Sequence, residues 1–325
     1  MSARAGAAGA AGQGSIPPRV ALALAAALGS HTADTLGVRS LLIKGAGLEE
    51  LGLRSQRTSS DVDLWIDPRR FDDVLGALAK RGWVERPRWR LSDAMTTHSV
   101  SLLHPGWSCD IDVHRSFPGF LAPPQHVFDV LWSRRMEVDR AGIRCAMPDR
   151  ASSAAILALH SLRSSPTEPR HLNEYRDLVA RLAHADDVVL VRQIADVAHA
   201  TGSVGPLEPL LRAIGAEVPG FDTSDPAYRE WIAHVNAGNN VTAVFAQRWA
   251  RAPWVERPRM LALALWPSNA ELRLAQPHRH LGFGALAWER CKRLVRNARS
   301  LPILVRARRR AKRGIVDSPY LRDDE

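Results

Sequence analysis

Short stretches with apolar residues at every second position alternate along the first half of this chain with stretches whose apolar residues recur every three or four. Ser40–Lys44 (SLLIK) is an apolar run that stops at a glycine-rich turn, as a buried strand does. Asp61–Ile66 (DVDLWI) alternates and halts at Asp67-Pro68, which predicts a second strand. Phe71–Lys80 sets Phe71, Val74, Leu75 and Leu78 on one helical face, and Gly82 closes that helix. His98–Leu103 and Asp110–His114 read as strands joined through His104-Pro105-Gly106, and Arg135–Val138 with Ile143–Ala146 as a hairpin around Ala141-Gly142. Val20–Leu28, apolar and rich in alanine, reads as a buried helix.

After Met147-Pro148 the period changes. Ala151–Leu162, Leu172–Ala183 and Val188–Thr201 show helical spacing, and Leu207–Ile214, Tyr228–Asn236 and Met260–Leu265 continue it. The pattern therefore predicts an α+β protein: a small mixed sheet with flanking helices over 19–148, a helical domain over 149–270, and a basic amphipathic segment over 271–325. Residues 1–18, mostly Ala, Gly and Ser, are expected to form a disordered leader rather than a signal peptide. No internal repeat is evident.

Composition changes this picture little. Hydrophobic residues make up 46% and charged residues 24% of the chain, values of an ordinary globular protein, and no apolar run reaches the length of a membrane span. The cysteines Cys109, Cys145 and Cys291 fit neither a disulfide framework nor zinc spacing, so a reducing cytoplasm is expected. The net charge of +10 is concentrated in the lysines and arginines from Arg290 to Arg313. There Leu301, Ile303, Leu304 and Val305 lie among arginines and stacking aromatics are nearly absent. A solvated helix is the default for that tail, with weak contact to an anionic membrane surface or to nucleic acid as the alternatives.

The chemistry sits in the first half. Carboxylates at i and i+2 on a strand share a face, about 6.5–7 Å apart. Asp61 and Asp63 therefore form a pair that repels itself unless a cation lies between them, and hard divalent ions such as Mg²⁺ favour such oxygens together with substrate phosphates. The strand Asp110–His114 offers a third acid, with Asp110, Asp112 and His114 on one face and Ile111 and Val113 on the other. Upstream, Lys44-Gly45-Ala46-Gly47 follows a strand and opens a helix, a turn in which backbone N–H groups and a helix N-terminus approach phosphate oxygens and Lys44 adds a charge. Arg57, Ser59 and Ser60 precede the aspartate pair and are further candidates for holding a triphosphate.

The segment IKGAGLEELGLRSQRTSSDVDLWI resembles the nucleotide-binding signature of the DNA polymerase beta-like nucleotidyltransferase superfamily. It is most similar to a branch of bacterial uncharacterised nucleotidyltransferases with a Lys-Gly-Ala turn, an R-x-x-x-D-[IV]-D-L motif and a later D-[LIV]-H strand. Here these are Lys44-Gly45-Ala46, Arg57 to Leu64, and Asp112-Val113-His114, and the likeness extends over roughly 36–182. The resemblance implies a minimal sheet with flanking helices, two Mg²⁺ ions with Mn²⁺ as a substitute, and transfer of a nucleoside monophosphate from an NTP such as ATP to an acceptor. It implies Asp61 and Asp63 as metal ligands, and Asp112 as a third ligand or as the base that takes the acceptor's proton. Where the superfamily usually carries Gly-Ser or Gly-Gly, this chain has Gly45-Ala46, which leaves backbone groups, Lys44 and Ser59 or Ser60 to hold the phosphates. An inactive nucleotide sensor with the same fold, and a related toxin group that modifies RNA, are the alternatives.

Asp110 and His114 are accessory candidates. Asp112 fits the D-x-H pattern better than Asp110, and His114 is either a substrate contact or a structural partner of a neighbouring carboxylate. His160 in its apolar helix is expected to be packed, Asp177 to pair on a helix surface, and Trp65 and Trp83 to belong to the core.

Overall fold

The computed structural model describes residues 16–57, 59–86, 98–163, 169–185 and 187–237, and beyond them chiefly 252–265 and 282–292 with isolated positions. The expected leader before Ile16 and almost all of the basic segment Leu294–Arg313 lie outside the described residues.

A five-stranded mixed sheet carries the first half. Its strands are β1 (Ser40–Ile43), β2 (Asp61–Ile66), β3 (Val84–Glu85), β4 (Ser99–Leu103) and β5 (Asp110–His114), in the order β1-β2-β5-β4-β3. β2 and β5 run parallel at the centre, and the other neighbours are antiparallel. With helices on both faces and further helices after it, the chain is α+β, as its periodicities predict.

Alternation assigns each strand residue to one of two cores. Val62, Leu64 and Ile66 of β2 and Ile111 and Val113 of β5 pack with α1 (Pro18–Thr35) and α3 (Phe71–Ala79). α1 begins at Pro18, a residue suited to a first helical turn because it lacks an N–H that would go unsatisfied there. Its buried face is made wholly of small residues, five Ala with Gly29, Ser30 and Thr32, which lets the helix lie close on the sheet. A Cβ on Gly29 would meet Leu64 Cδ2 at 3.0 Å.

The opposite face contributes Leu41, Ile43 and Trp65 to a larger core shared with α4 (Pro124–Ser133), α5 (Arg150–Leu162), α6 (Pro169–His184), α7 (Val188–Ala200), α8 (Val204–Ala213) and α9 (Pro226–Ala237). A further helix, α10, spans Arg257–Leu265, and residues 283–292 are helical as well. α5 is the centre of this body: small and apolar on nearly every side, it is buried almost throughout, and Asp149 caps it by accepting the Ser152 N–H at 2.8 Å. The hairpin β6 (Arg135–Arg140) and β7 (Ile143–Pro148) turns through Ala141 and Gly142 at φ 51° and 80°, the left-handed pair of a tight hairpin.

Trp65 ties the sheet to the helices. It is fully buried, with Phe117, Phe120 and Phe128 at ring-centroid distances of 6.0, 6.0 and 6.4 Å, and its indole N–H has no hydrogen-bond partner among the described residues. Trp65→Ala is expected to cost about 3–5 kcal/mol. Trp65→Phe keeps most of the bulk, removes the orphaned donor and is expected to cost under about 1.5 kcal/mol. Urea-denaturation midpoints of the two variants check the ordering.

Candidate active site

Register brings the acids together. In the parallel pair β2–β5, Asp63 stands opposite Asp112 and Asp61 opposite Asp110, so all four leave the same face of adjacent strands. The ligand atoms of Asp63, Asp112 and His114 all lie within 4.8 Å of one another. Asp61, one alternation nearer the strand entrance, is partly exposed and accepts a hydrogen bond from Ser59 Oγ at 2.9 Å. Asp110 is drawn aside by a close ion pair with Arg86, which leaves Asp112 as the acid of β5 that joins the cluster.

Asp63 is the buried member, with only 5% of its surface exposed, and one of its oxygens is doubly partnered. Lys44 Nζ lies 2.6 Å from Oδ1, and His114 Nε2 lies 2.8 Å from the same atom. Burial works to raise the Asp63 pKa, but the Lys44 ammonium and His114 outweigh it and hold the group below the usual carboxylate range. Asp112 moves the other way. Burial raises it first, and the nearby Asp63 and Asp61 charges add to the rise against a hydrogen bond from Ser101 and the proximity of His114. Two carboxylates about 4 Å apart at an effective dielectric of about 20 repel by about 4 kcal/mol, a penalty that favours a proton on one of them or a cation between them. Neighbouring acids split in this direction suit one to stay charged and the other to exchange a proton.

The turn that delivers Lys44 is strained. Lys44 has φ 61° and ψ −144°, a conformation nearly restricted to glycine that costs on the order of 1–3 kcal/mol. Ile43 is the register partner of Asp63, so the chain must bend sharply at Lys44 to turn its ammonium back onto that carboxylate. The following helix α2 (Gly45–Glu50) has six residues, and the expected help from a helix dipole is reduced accordingly. Arg54, itself buried, braces the turn by donating to the Gly45 carbonyl at 2.8 Å. Gly47 lies close under the hairpin: a Cβ there would fall 2.6 Å from Met147 Cε, so the methionine tip would have to shift.

A cavity of about 570 Å³ opens beside these groups, between α1, the turn and the β6–β7 hairpin. Lys44, Gly45, Ala46, Arg57, Ser59, Asp61 and Asp63 all line it, and Ser60 and Asp112 do not. Two of these candidate phosphate contacts also have partners within the protein. Lys44 is paired with Asp63, a buried carboxylate that requires a counter-charge. Arg57, expected at the triphosphate, donates to Glu174 Oε1 of α6 at 2.9 Å while its backbone N–H donates to Glu49.

The helical half supplies residues that local pattern did not single out for the site. Arg163, capping the end of α5, lies 3.3 Å from both His98 Nε2 and His160 Nδ1, and Glu174 receives both Arg57 and Arg54. The one local signal was a cation three residues after His160 in an otherwise apolar helix. His114 is the structural partner of Asp63, one of the two roles open to it.

No family model matches the chain, and no curated protein matches it significantly. Among solved structures it is similar to an antigenic nucleotidyltransferase-like protein from Paracoccidioides brasiliensis, at 15% identity and a TM-score of 0.35 over 59% of this chain and 92% of that one. It is also similar to the lincosamide antibiotic adenylyltransferase LnuA with lincomycin bound, at 19% identity and a TM-score of 0.31 over 46% and 90%. At these values the likenesses bear on neither substrate nor acceptor.

The ion pair predicts a pH dependence. Asp63 has a depressed pKa, so its contribution to stability is complete above the ordinary carboxylate value of about 4 and is lost as pH falls through its folded value. Lys44→Met removes the main counter-charge and is expected to destabilise the protein by about 3–5 kcal/mol at neutral pH. The deficit should shrink on acidification, as Asp63 in the variant takes up a proton. Denaturation at pH 7 and near pH 4.5 reads the difference.

Proposed function

We propose that this protein is a nucleotidyltransferase that moves a nucleoside monophosphate from an NTP to an acceptor and releases pyrophosphate. The observation that carries the reading is the side-by-side placement of Asp63 and Asp112, with Asp61 beside them, at the edge of a cavity lined by Lys44 and Arg57.

The donor set fits a hard divalent ion. The converging atoms of Asp63 and Asp112 are carboxylate oxygens, and the Asp112 pKa is raised first by burial and then by the Asp63 and Asp61 charges, the second of which a cation would relieve. Asp61 and Asp63 would hold Mg²⁺ or Mn²⁺, with Asp112 as a third ligand or as the base, and the ion would supply charge neutralisation at the reacting phosphate and its leaving group. The chain's own residues do the rest. Gly45, Ala46 and Ser59 line the cavity, where their backbone N–H groups and the Ser59 hydroxyl would orient the triphosphate. Asp112, with its raised proton affinity, accepts the proton of the acceptor hydroxyl. The acceptor oxygen then bonds to the α-phosphorus as the bond from that phosphorus to the bridging oxygen breaks, and pyrophosphate carries away the electron pair. The body beyond Pro148 borders the acceptor side and bears on acceptor choice. The free cysteines, two of them buried, fit a cytoplasmic setting, and no described helix is long and apolar enough to cross a membrane.

One observation favours a second reading, a nucleotide sensor without turnover. Lys44 lies on the Asp63 oxygen that a metal would share, and a lysine fixed there would exclude the ion.

Asp112→Asn separates the two. It relieves like-charge crowding, so thermal stability should hold or rise slightly, while Mg²⁺-dependent NTP consumption should fall about 10²–10⁴-fold. An unchanged rate removes Asp112 from the chemistry, and absent wild-type turnover with each NTP and cell extract favours the sensor. In a thermal-shift series, NTP with Mg²⁺ is expected to stabilise the wild type more than NTP alone, and Asp61→Asn should abolish that metal-dependent increment.

A further inference from the structure

Arg163 is half-buried, near enough to Asp63 and Asp112 to feel their charges, and has no part in the chemistry proposed above. Its guanidinium lies against the ring of Phe117, 5.3 Å from the centroid, and its terminal nitrogens meet His98 and His160 at 3.3 Å. Those contacts use two of its five N–H donors. Nearby arginines differ: Arg54 and Arg57 are paired with Glu174, whereas among the described residues Arg163 forms no ion pair with a carboxylate. Its histidine neighbours cannot supply the missing negative charge, since an imidazole is neutral or cationic, and they add no positive charge either. Burial and the Arg163 charge push His98 down to about 3, and His160 and His234 are lowered chiefly by burial as well, so all three are neutral imidazoles. Asp63 and Asp112 are near enough for their fields to act on Arg163. Arg163 and Asp112 both stand outside the lining of the cavity that holds Lys44, Gly45 and Arg57.

A metal reading of this region is weaker. The donor atoms of His160, His171 and Glu174 lie within 4.8 Å of one another, a set that would suit zinc. Arg57 already sits 2.9 Å and Arg54 3.6 Å from Glu174 Oε1, however, and Arg163 lies on His160. A dication there would stand among three guanidinium groups. The chemistry recruits an anion.

We infer that the acceptor carries an anionic group, a phosphate or a carboxylate, and that Arg163, framed by His98 and His160, receives it beside Asp112. The inference rests on the nucleotidyltransferase reading, since it is that reading that makes the Asp112 side the acceptor's. A planar guanidinium with open donors matches either anion in a two-pronged contact and would hold the acceptor hydroxyl near its base.

The test titrates inorganic phosphate, and separately acetate, into the full chain by calorimetry, with Mg²⁺ and a saturating non-hydrolysable α,β-methylene ATP present. Wild type is expected to bind at least one of them with nucleotide in place, and the tighter of the two identifies the anion class. Arg163→Gln should weaken that binding about ten- to hundredfold, the loss of a charge-assisted contact, while the exposed Arg144→Gln leaves it unchanged. Should Arg163→Gln fail to fold, Arg163→Lys, which keeps the charge but not the fork, is expected to bind about threefold more weakly or worse. Binding of neither anion, wild-type affinity in the Arg163 variants, or displacement of the anion by the nucleotide analogue overturns the proposal, the last by giving Arg163 to the nucleotide's own phosphates. If the analogue itself does not bind, the nucleotidyltransferase reading fails, and the same titrations without it still decide whether Arg163 holds an anion.

Discussion

A charged carboxylate with 5% of its surface exposed dictates much of what surrounds it. Left alone in a protein interior, Asp63 would cost several kcal/mol or take up a proton. Two groups prevent this by meeting the same oxygen, Lys44 from the end of the neighbouring strand and His114 from the strand on the other side. The Lys44 backbone holds a conformation that a side-chain-bearing residue rarely adopts, because only that bend returns the ammonium to Asp63. Arg54 bracing the turn and Gly47 yielding to Met147 belong to the same arrangement.

This local solution leaves Asp112 with the residual repulsion. Asp63 stays ionised because it is paired, and the proton affinity of its neighbour Asp112 rises, through burial first and the nearby Asp63 charge after it. One carboxylate fixed as an anion beside another poised to exchange a proton is an arrangement that stability alone would not select. It also makes Asp63 an ambiguous target for mutagenesis, since neutralising it leaves a buried Lys44 without a partner.

The sheet divides the labour between its faces. One is closed by α1, whose small residues let it lie near the strands, and its interior is apolar. The other begins as core around Trp65 and becomes polar toward the Asp61 end, where α5 and α6 bring Arg163, His160, His171 and Glu174 near the site. A single apolar core joins that face to the helices, so those charged side chains are positioned by rigid packing rather than by loops.

The sequence by itself determined the element types. Alternation in Asp61–Ile66 and Asp110–His114 specified both strands and which residues share a face, and Ala141-Gly142 specified the hairpin turn, because these depend on near neighbours. The glycine turn and the aspartate spacing were legible for the same reason. Tertiary structure alone decided that β2 and β5 are parallel neighbours in a register that sets Asp63 beside Asp112 rather than Asp110. It also decided that Lys44 serves Asp63, that Arg57 reaches Glu174, and that Arg163 faces the site from a helix a hundred residues after β2. Charge pairing at long separation leaves no period in a sequence: what selects a partner for a buried charge is the desolvation each group would otherwise suffer, and that depends on where the whole chain has packed.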